Sequence, residues 1–221
     1  MPRFALVSDF DGTISHNDFF YYIADRYFDE KALTPWHEYL AGKKKHFIAL
    51  NEMFSSLRIP EEELQDFILT IKLDKTFFSL ASFCQKQNIP VYICSAGCDY
   101  YIKVLLNKKI NRYQITLVSN SGTYSPETGL TMQPNKQYPD ENLGISKVNL
   151  VKQLKKQDYR VIFCGDGPPD VEPAKLADKV FARKILYQEC QKQNIKADFL
   201  TTFTKVKNYI KENTYETPDH P

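Results

Sequence analysis

Apolar and polar positions follow two different periods along this chain. Residues 4–13, FALVSDFDGT, form a short apolar run that stops at two aspartates and a glycine. A run of this kind bounded by a turn signal predicts a buried strand. From residue 14 the spacing becomes helical and rich in aromatics. Residues 14–28 carry Phe19, Phe20, Tyr22, Ile23, Tyr27 and Phe28, and residues 36–57 carry Trp36, Leu40, Phe47, Leu50, Phe54 and Leu57. Ile59-Pro60 before Glu61, Glu62 and Glu63 predicts a helix start, with proline in the first turn and acids at the positive end of the dipole. The pattern up to residue 77 thus holds three or four helices with no strand between them. After that, strands and helices alternate. Helices are predicted over 77–87, 99–109, 145–156, 171–177, 184–193 and 203–211, and strands over 89–95, 115–120, 160–164 and 179–182. A hairpin and an irregular crossover are expected within 121–144, where Gly122, Pro126, Gly129, Pro134, Pro139 and Gly144 cluster, and residues 217–221 are expected to fray.

Strands separated by helical segments predict an α/β fold, a Rossmann-like parallel sheet with helices on both faces. Residues 1–14 and 78–221 would form that core, and residues 15–77 a small inserted all-helical cap. A chain of 221 residues with 43% hydrophobic content is long enough to bury a full core. The net charge is +2 with lysines and arginines spread along the chain, which is unlike the basic stripe of a nucleic-acid binder. No apolar run is long enough for a membrane span and no signal peptide is apparent, so a cytoplasmic location is expected. Nothing in the pattern fixes an oligomeric state. Cys84, Cys94, Cys98, Cys164 and Cys190 lack Cys-x-x-Cys spacing and read as free, mostly buried thiols. Cys98 stands out because it lies beside a candidate site residue.

Ligands of an open parallel sheet bind outside the carboxyl ends of its strands. The first strand ends at Asp9 and Asp11, whose i, i+2 spacing aims both carboxylates the same way. The strand ending at Ser95 leads into Ala96-Gly97, and the strand ending at Cys164 leads into Gly165-Asp166-Gly167, with Asp170 close behind. Lys147 faces away from the apolar stripe Ile145, Val148, Val151 and Leu154, so it can reach the same edge. Each residue alone has an ordinary reading: Ser95 as a strand-end hydroxyl, Lys147 as a surface lysine, Gly165 to Asp170 as a turn-rich loop. Their order and shared edge favour one site. Clustered carboxylates are hard oxygen donors that suit Mg²⁺, and a lysine and a hydroxyl beside them suit phosphoryl oxygens. Asp9 is then a candidate nucleophile, and Asp11 a candidate acid and base. Asp18, with Phe19, Phe20 and Tyr22, could face a substrate from the cap. The run Lys43-Lys44-Lys45-His46 reads as a solvated face that could also draw in a phosphorylated substrate.

Asp9-Phe10-Asp11-Gly12-Thr13, Ser95-Ala96-Gly97, Lys147 and Gly165-Asp166-Gly167-Pro168-Pro169-Asp170 resemble the four ordered motifs of the haloacid dehalogenase superfamily of phosphatases. The helical block resembles the cap of its phosphoserine-phosphatase-like branch. Ser95 to Tyr101, and Asp170 to Asp178 with Phe181-Ala182-Arg183 after it, are similar to the phosphatases of methionine salvage that act on 2-hydroxy-3-keto-5-methylthiopentenyl-1-phosphate. The resemblance implies Asp9 as nucleophile, Asp11 as acid and base, and Mg²⁺ held by Asp9, the Asp11 main-chain carbonyl and Asp166. It implies phosphate contacts from Ser95, Gly97 and Lys147 and support from Asp170; Arg183 could lie near the cleft as a substrate residue, its role left open. One departure is that residues 133–146 hold no cysteine, where relatives can carry a cysteine-rich segment.

The expected activity is hydrolysis of a small phosphorylated metabolite, with a methionine-salvage intermediate as one substrate. Phosphoserine, phosphocholine, phosphoethanolamine and pyridoxal phosphate are the alternatives. A reading of another class is a phosphate sensor or signalling receiver, which also uses an aspartate, a lysine and a hydroxyl. Against it, Asp11 supplies an acid and base that a durable phospho-switch would not want. A calcium loop over residues 9–20 fails, because its sixth and twelfth positions are Ile14 and Phe20 rather than glycine and glutamate.

Overall fold

The computed structural model describes residues 3–214, and the predicted fraying of residues 217–221 lies outside them. Seven strands form one sheet: β1 (Phe4–Ser8), β2 (Val91–Cys98), β3 (Ile115–Ser125), β4 (Gly129–Gln133), β5 (Arg160–Gly165), β6 (Lys179–Ala182) and β7 (Ala197–Phe199). The order across the sheet is β4-β3-β2-β1-β5-β6-β7. Every pairing is parallel except the β3–β4 hairpin. The chain builds one half outward from β1 and then returns to β1's other side with β5, so β1 and β5 flank the point where the direction of winding reverses. A crevice opens at such a switch point.

The helices between β1 and β2 are α1 (Phe19–Tyr27), α2 (Thr34–Leu40), α3 (His46–Phe54), α4 (Glu61–Leu69) and α5 (Lys75–Lys86). Those that follow are α6 (Asp99–Leu106), α7 (Lys109–Arg112), α8 (Lys147–Lys156), α9 (Val171–Leu176), α10 (Lys184–Lys192) and α11 (Phe203–Thr214). Every residue of β1 is buried, which explains its continuous apolar run, because both faces of a central strand are covered. Its side chains alternate between the two faces. Phe4 and Leu6 pack with residues of α5, α6 and α11, and Ala5 and Val7 with residues of α8, α9 and α10. The first cluster runs on into α1, α3 and α4 through Phe19, Ile23, Leu50, Met53, Phe54, Leu64 and Ile68. Where the chain leaves the sheet for α1 and comes back after α4, Ser15 and Leu73 form an antiparallel bridge. The amide of His16 donates to the carbonyl of Lys72 (3.1 Å) and that of Asp74 to Ile14 (2.8 Å).

Several boundaries differ from the sequence expectation. The helix expected from residue 14 begins at Phe19, because Ile14 to His16 are held in that bridge. The stretch 36–57 is two helices, since Gly42 at φ +71° leaves the helical region just after the end of α2. Strand β2 continues through Cys98, with its register against β3 shifting between Ser95 and Cys98. Strand β7 has three half-exposed or exposed residues and no periodicity to betray it. All five cysteines are free and buried. Burial pushes the Cys98 thiol up to about 12, which removes it as a reactive thiolate near neutral pH.

Candidate active site

A cleft of about 450 Å³ lies outside the carboxyl ends of β1, β2 and β5, with α1 to α3 forming its opposite wall. Asp9, Asp11, Asp18, Ser95, Gly97, Lys147, Asp166 and Asp170 all line it. A volume in this range fits a small molecule.

Lys147 is the hub. It stands at the first position of α8, whose N-cap Ser146 accepts from the Asn149 amide, and it is almost fully buried. Its Nζ donates to Oδ1 of Asp9 (2.6 Å) and to Oδ1 of Asp170 (2.6 Å). Burial would lower its pKa, but Asp170 and Asp9 outweigh it and keep the ammonium charged. The other oxygen of Asp170 accepts from the amides of Asp166 (3.0 Å) and Gly167 (3.2 Å). With both oxygens engaged, Asp170 holds the β5 loop to the lysine. Gly165 makes room for this, since a Cβ there would lie 2.6 Å from Asp170 Cγ.

Asp11 is fixed by three donors. Oδ1 accepts from the Phe19 amide (3.1 Å), and Oδ2 accepts from Ser95 Oγ (3.1 Å) and Tyr101 OH (2.5 Å). Burial pushes its pKa up, and the bonds from Tyr101, Phe19 and Ser95 hold it back only in part. Ser95 Oγ also accepts from the Gly97 amide (3.0 Å), so the register shift in β2 turns residues 95–97 toward the cleft, as bulges beside functional sites do. A Cβ on Gly97 would fall 1.8 Å from Tyr101 OH.

Asp166 receives Lys184 Nζ at 3.0 Å and Thr13 Oγ1 at 3.5 Å. Gly12, at φ +73°, lies so close that a Cβ would sit 2.1 Å from Asp166 Oδ2. Asp18 caps α1 without a side-chain cap bond. Burial first, then Asp11 and Asp166, push its pKa up to about 7. Burial also raises Asp9, with Lys147 pulling the other way and Asp170, Asp166 and Asp11 adding to the rise. Asp9, Asp166 and Asp170 each offer an oxygen, all within 4.8 Å of one another. These hard donors, in a pocket where the carboxyls of Asp9, Asp11, Asp166 and Asp170 outnumber the ammonium groups of Lys147 and Lys184, fit a divalent cation such as Mg²⁺.

Arg183 is not among the residues lining the cleft. Its guanidinium donates to Asp74 Oδ2 (2.8 Å) and to the carbonyls of Thr13 (3.0 Å), Leu200 (2.9 Å) and Thr201 (3.2 Å). It ties the segments on either side of the Ser15–Leu73 bridge to the loop after β7. Its neighbour Lys184, at φ +42°, reaches the cleft instead. Phe19 stacks on Tyr101 (4.0 Å, 12°), and Tyr22 packs against the apolar cluster. Phe20 and Tyr21 line the cleft. The lysine run divides: Lys44 pairs with Glu38 and Glu52, and Lys45 with Glu141, near the surface, whereas His46 turns inward and is buried. Lys184, Tyr101 and His46 are thus cleft residues that the motifs did not identify.

Residues 6–175 match the model of the family described as haloacid dehalogenase-like hydrolase. A 2-hydroxy-3-keto-5-methylthiopentenyl-1-phosphate phosphatase of Bacillus cereus is 28% identical over 207 residues, covering 92% of this chain and 94% of the relative. A substrate-bound phosphoserine phosphatase has a similar fold, with a TM-score of 0.68 at 18% identity over 95% of this chain and 99% of that one. A phospho-aspartyl intermediate analogue of phosphoserine phosphatase gives 0.67 at 17% identity, over 95% and 99%.

Proposed function

Because the chain belongs to the haloacid dehalogenase-like hydrolases, we propose that it is a Mg²⁺-dependent phosphomonoesterase acting on a small phosphorylated metabolite through a phosphoryl group carried by Asp9. The observation that carries this reading is the pair of carboxylates at the end of β1. Asp9 lies against the buried ammonium of Lys147, and Asp11 is held by three donors beside it.

In the first step an Asp9 carboxylate oxygen attacks phosphorus and the bond from phosphorus to the alcohol oxygen breaks. Asp11 gives its proton to that leaving oxygen. In the second step water attacks phosphorus, Asp11 takes the water's proton, and the bond from phosphorus to Asp9 breaks. Tyr101 and the Phe19 amide hold the Asp11 carboxyl in one orientation for both transfers. Lys147 keeps a third N–H for a phosphoryl oxygen, and Ser95 and the Gly97 amide, which bond Asp11 and Ser95 Oγ here, would turn to the phosphoryl oxygens as the group enters. Asp9, the Asp11 carbonyl and Asp166 would hold Mg²⁺, with Asp170 and Lys184 around them, and the bound ion would offset phosphoryl charge. Asp18 faces the substrate from the first turn of α1.

The Bacillus cereus relative makes its named phosphate ester the first physiological substrate to try, ahead of phosphoserine, phosphocholine, phosphoethanolamine and pyridoxal phosphate. Phosphate release from p-nitrophenyl phosphate tests the reading. Turnover is expected with Mg²⁺, and neither with EDTA nor in Asp9→Asn. Turnover that survives Asp9→Asn contradicts it, and a stable phosphorylated protein without repeated turnover favours a phosphate sensor.

A further inference from the structure

The wall of the cleft opposite the carboxylates is made of aromatic rings in contact with one another. Phe20 lies 4.3 Å from Trp36 and Trp36 lies 4.9 Å from Tyr39, centroid to centroid. Rings that recognise a quaternary ammonium surround it, each facing the cation within about 6 Å. Here Phe20 and Trp36 are tilted by 32° and Trp36 and Tyr39 by 45°, so adjoining rings form a continuous apolar surface along the cleft. The lips extend that surface, for Leu40 on α2 is 66% exposed and Ile185 on α10 is 49% exposed, and both border the cleft. Charge points the same way. Among the described residues, the cations lining the cleft are Lys147 and Lys184; both stand on the sheet side and both are already paired with aspartates. A second anionic group on a substrate would meet no free ammonium or guanidinium on the aromatic wall, and Asp18 would be nearby.

One group breaks the apolar wall. His46, at the start of α3, is only 9% exposed, lines the cleft and stands edge-on to Trp36 (5.8 Å) and Tyr39 (5.2 Å). Its Nδ1 is sealed from solvent without any hydrogen-bond partner. Burial, with Lys147 adding to it, lowers its pKa to about 4, so near pH 7 the ring is neutral and offers one N–H and one lone pair. A buried polar group without a partner is costly, and phenylalanine or leucine would pack among these rings without that cost. Nε2, which makes no hydrogen bond among the described residues and is not sealed, is the ring atom that a ligand in the cleft can meet, and such a ligand gives a reason for an imidazole here.

Resting on the phosphatase reading above, we infer that this wall selects phosphate monoesters of neutral alcohols that carry a planar or apolar group and one uncharged hydrogen-bonding oxygen, with His46 as the partner of that oxygen. Specificity then comes from His46 and the Phe20, Trp36 and Tyr39 surface, while the carboxylate side handles the phosphoryl group alone.

The test compares kcat/KM for benzyl phosphate, 3-(hydroxymethyl)benzyl phosphate, 3-carboxybenzyl phosphate and phosphocholine with Mg²⁺. The hydroxymethyl ester should be the best substrate and the carboxy ester about tenfold or more worse, since one uncompensated buried interaction is worth about a factor of ten. His46→Leu should bring the hydroxymethyl to benzyl ratio close to one, and His46→Gln, which keeps a hydrogen-bonding side chain, should restore part of it. Each ratio is taken within one variant, so a loss of folded protein cancels. Trp36 is the single tryptophan. In Asp9→Asn its fluorescence should move with the benzyl esters and stay still with inorganic phosphate. A preference for the carboxy ester or phosphocholine, or a ratio unmoved in His46→Leu, overturns the inference and leaves the phosphatase reading standing. No turnover of any ester overturns that reading, and the inference with it.

Discussion

The two sides of the cleft are built by different physics. On the sheet side, Asp9, Asp11, Asp166 and Asp170 all have charged or hydrogen-bonding partners, and those partners come from distant parts of the chain. On the helical side, rings lie against rings and the buried imidazole nitrogen of His46 has no partner. Directional bonds to a rigid sheet fix where charge sits, which is what a chemical step needs. A wall of contacts fixes only shape and polarity, which suits selection among ligands. The sides meet at the first turn of α1, where the Phe19 amide bonds Asp11 and the Phe19 ring stacks on Tyr101. A displacement of α1 would therefore be felt at the Asp11 carboxyl.

The contrast can be broken most severely at Lys147. Lys147→Met leaves Asp9 and Asp170 buried without a counter-charge, and should cost about 3–5 kcal/mol in urea unfolding and about 10²–10³-fold in kcat. A stable, active variant would mean that the ion cluster does not organise the site. Arg183→Ala should lower stability by about 2 kcal/mol while kcat in the folded protein stays within a few-fold, since this arginine holds Thr13, Asp74 and Leu200. A rise in KM without loss of stability would instead return Arg183 to the substrate. Trp36→Ala should raise KM for a benzyl ester about tenfold and change kcat much less, and the opposite split would move the wall into the chemistry.

The effect expected at Asp18 is on the pH dependence of stability. Its folded-state pKa of about 7 lies above an unfolded value of about 3.9, so the native state holds its proton more tightly. Stability from this group is present at low pH and is lost as pH rises from about 4 through 7. Asp18→Asn should therefore gain in Tm over the parent as pH rises across that window, measured in EDTA. An equal gain at pH 5 and pH 8 would contradict the environment assigned to Asp18.

The sheet side was legible in the sequence because its physics leaves sharp marks. A strand buried on both faces must be continuously apolar, so Phe4 to Ser8 announced itself, and acids at its end had to be explained. Lys147 was legible from its place in the order of strand ends and motifs, but not from its helix face: the expectation that it points away from the apolar stripe fails, since it is buried on the same face as Leu150, Val151 and Leu154. Tyr101 was not, since its ring belongs to the apolar stripe of α6 and only its hydroxyl reaches Asp11. Lys184 was hidden by Arg183 beside it, and only the positive φ after β6 brings its ammonium to Asp166. His46 was concealed at the end of three lysines, where the local pattern reads as solvent-facing although its side chain is buried. Contacts made by one atom of a side chain, or by a reversal of one backbone angle, leave no period to read.

The central claim is that the phosphoryl group passes through Asp9. Turning over a phosphate ester with Mg²⁺, quenching in acid, reducing with borohydride and sequencing peptides by mass tests it most directly, because reduction converts an aspartyl phosphate to homoserine. Homoserine is expected at position 9, and none in Asp9→Asn. Sustained turnover with position 9 unmodified, or homoserine at another aspartate, would contradict the account.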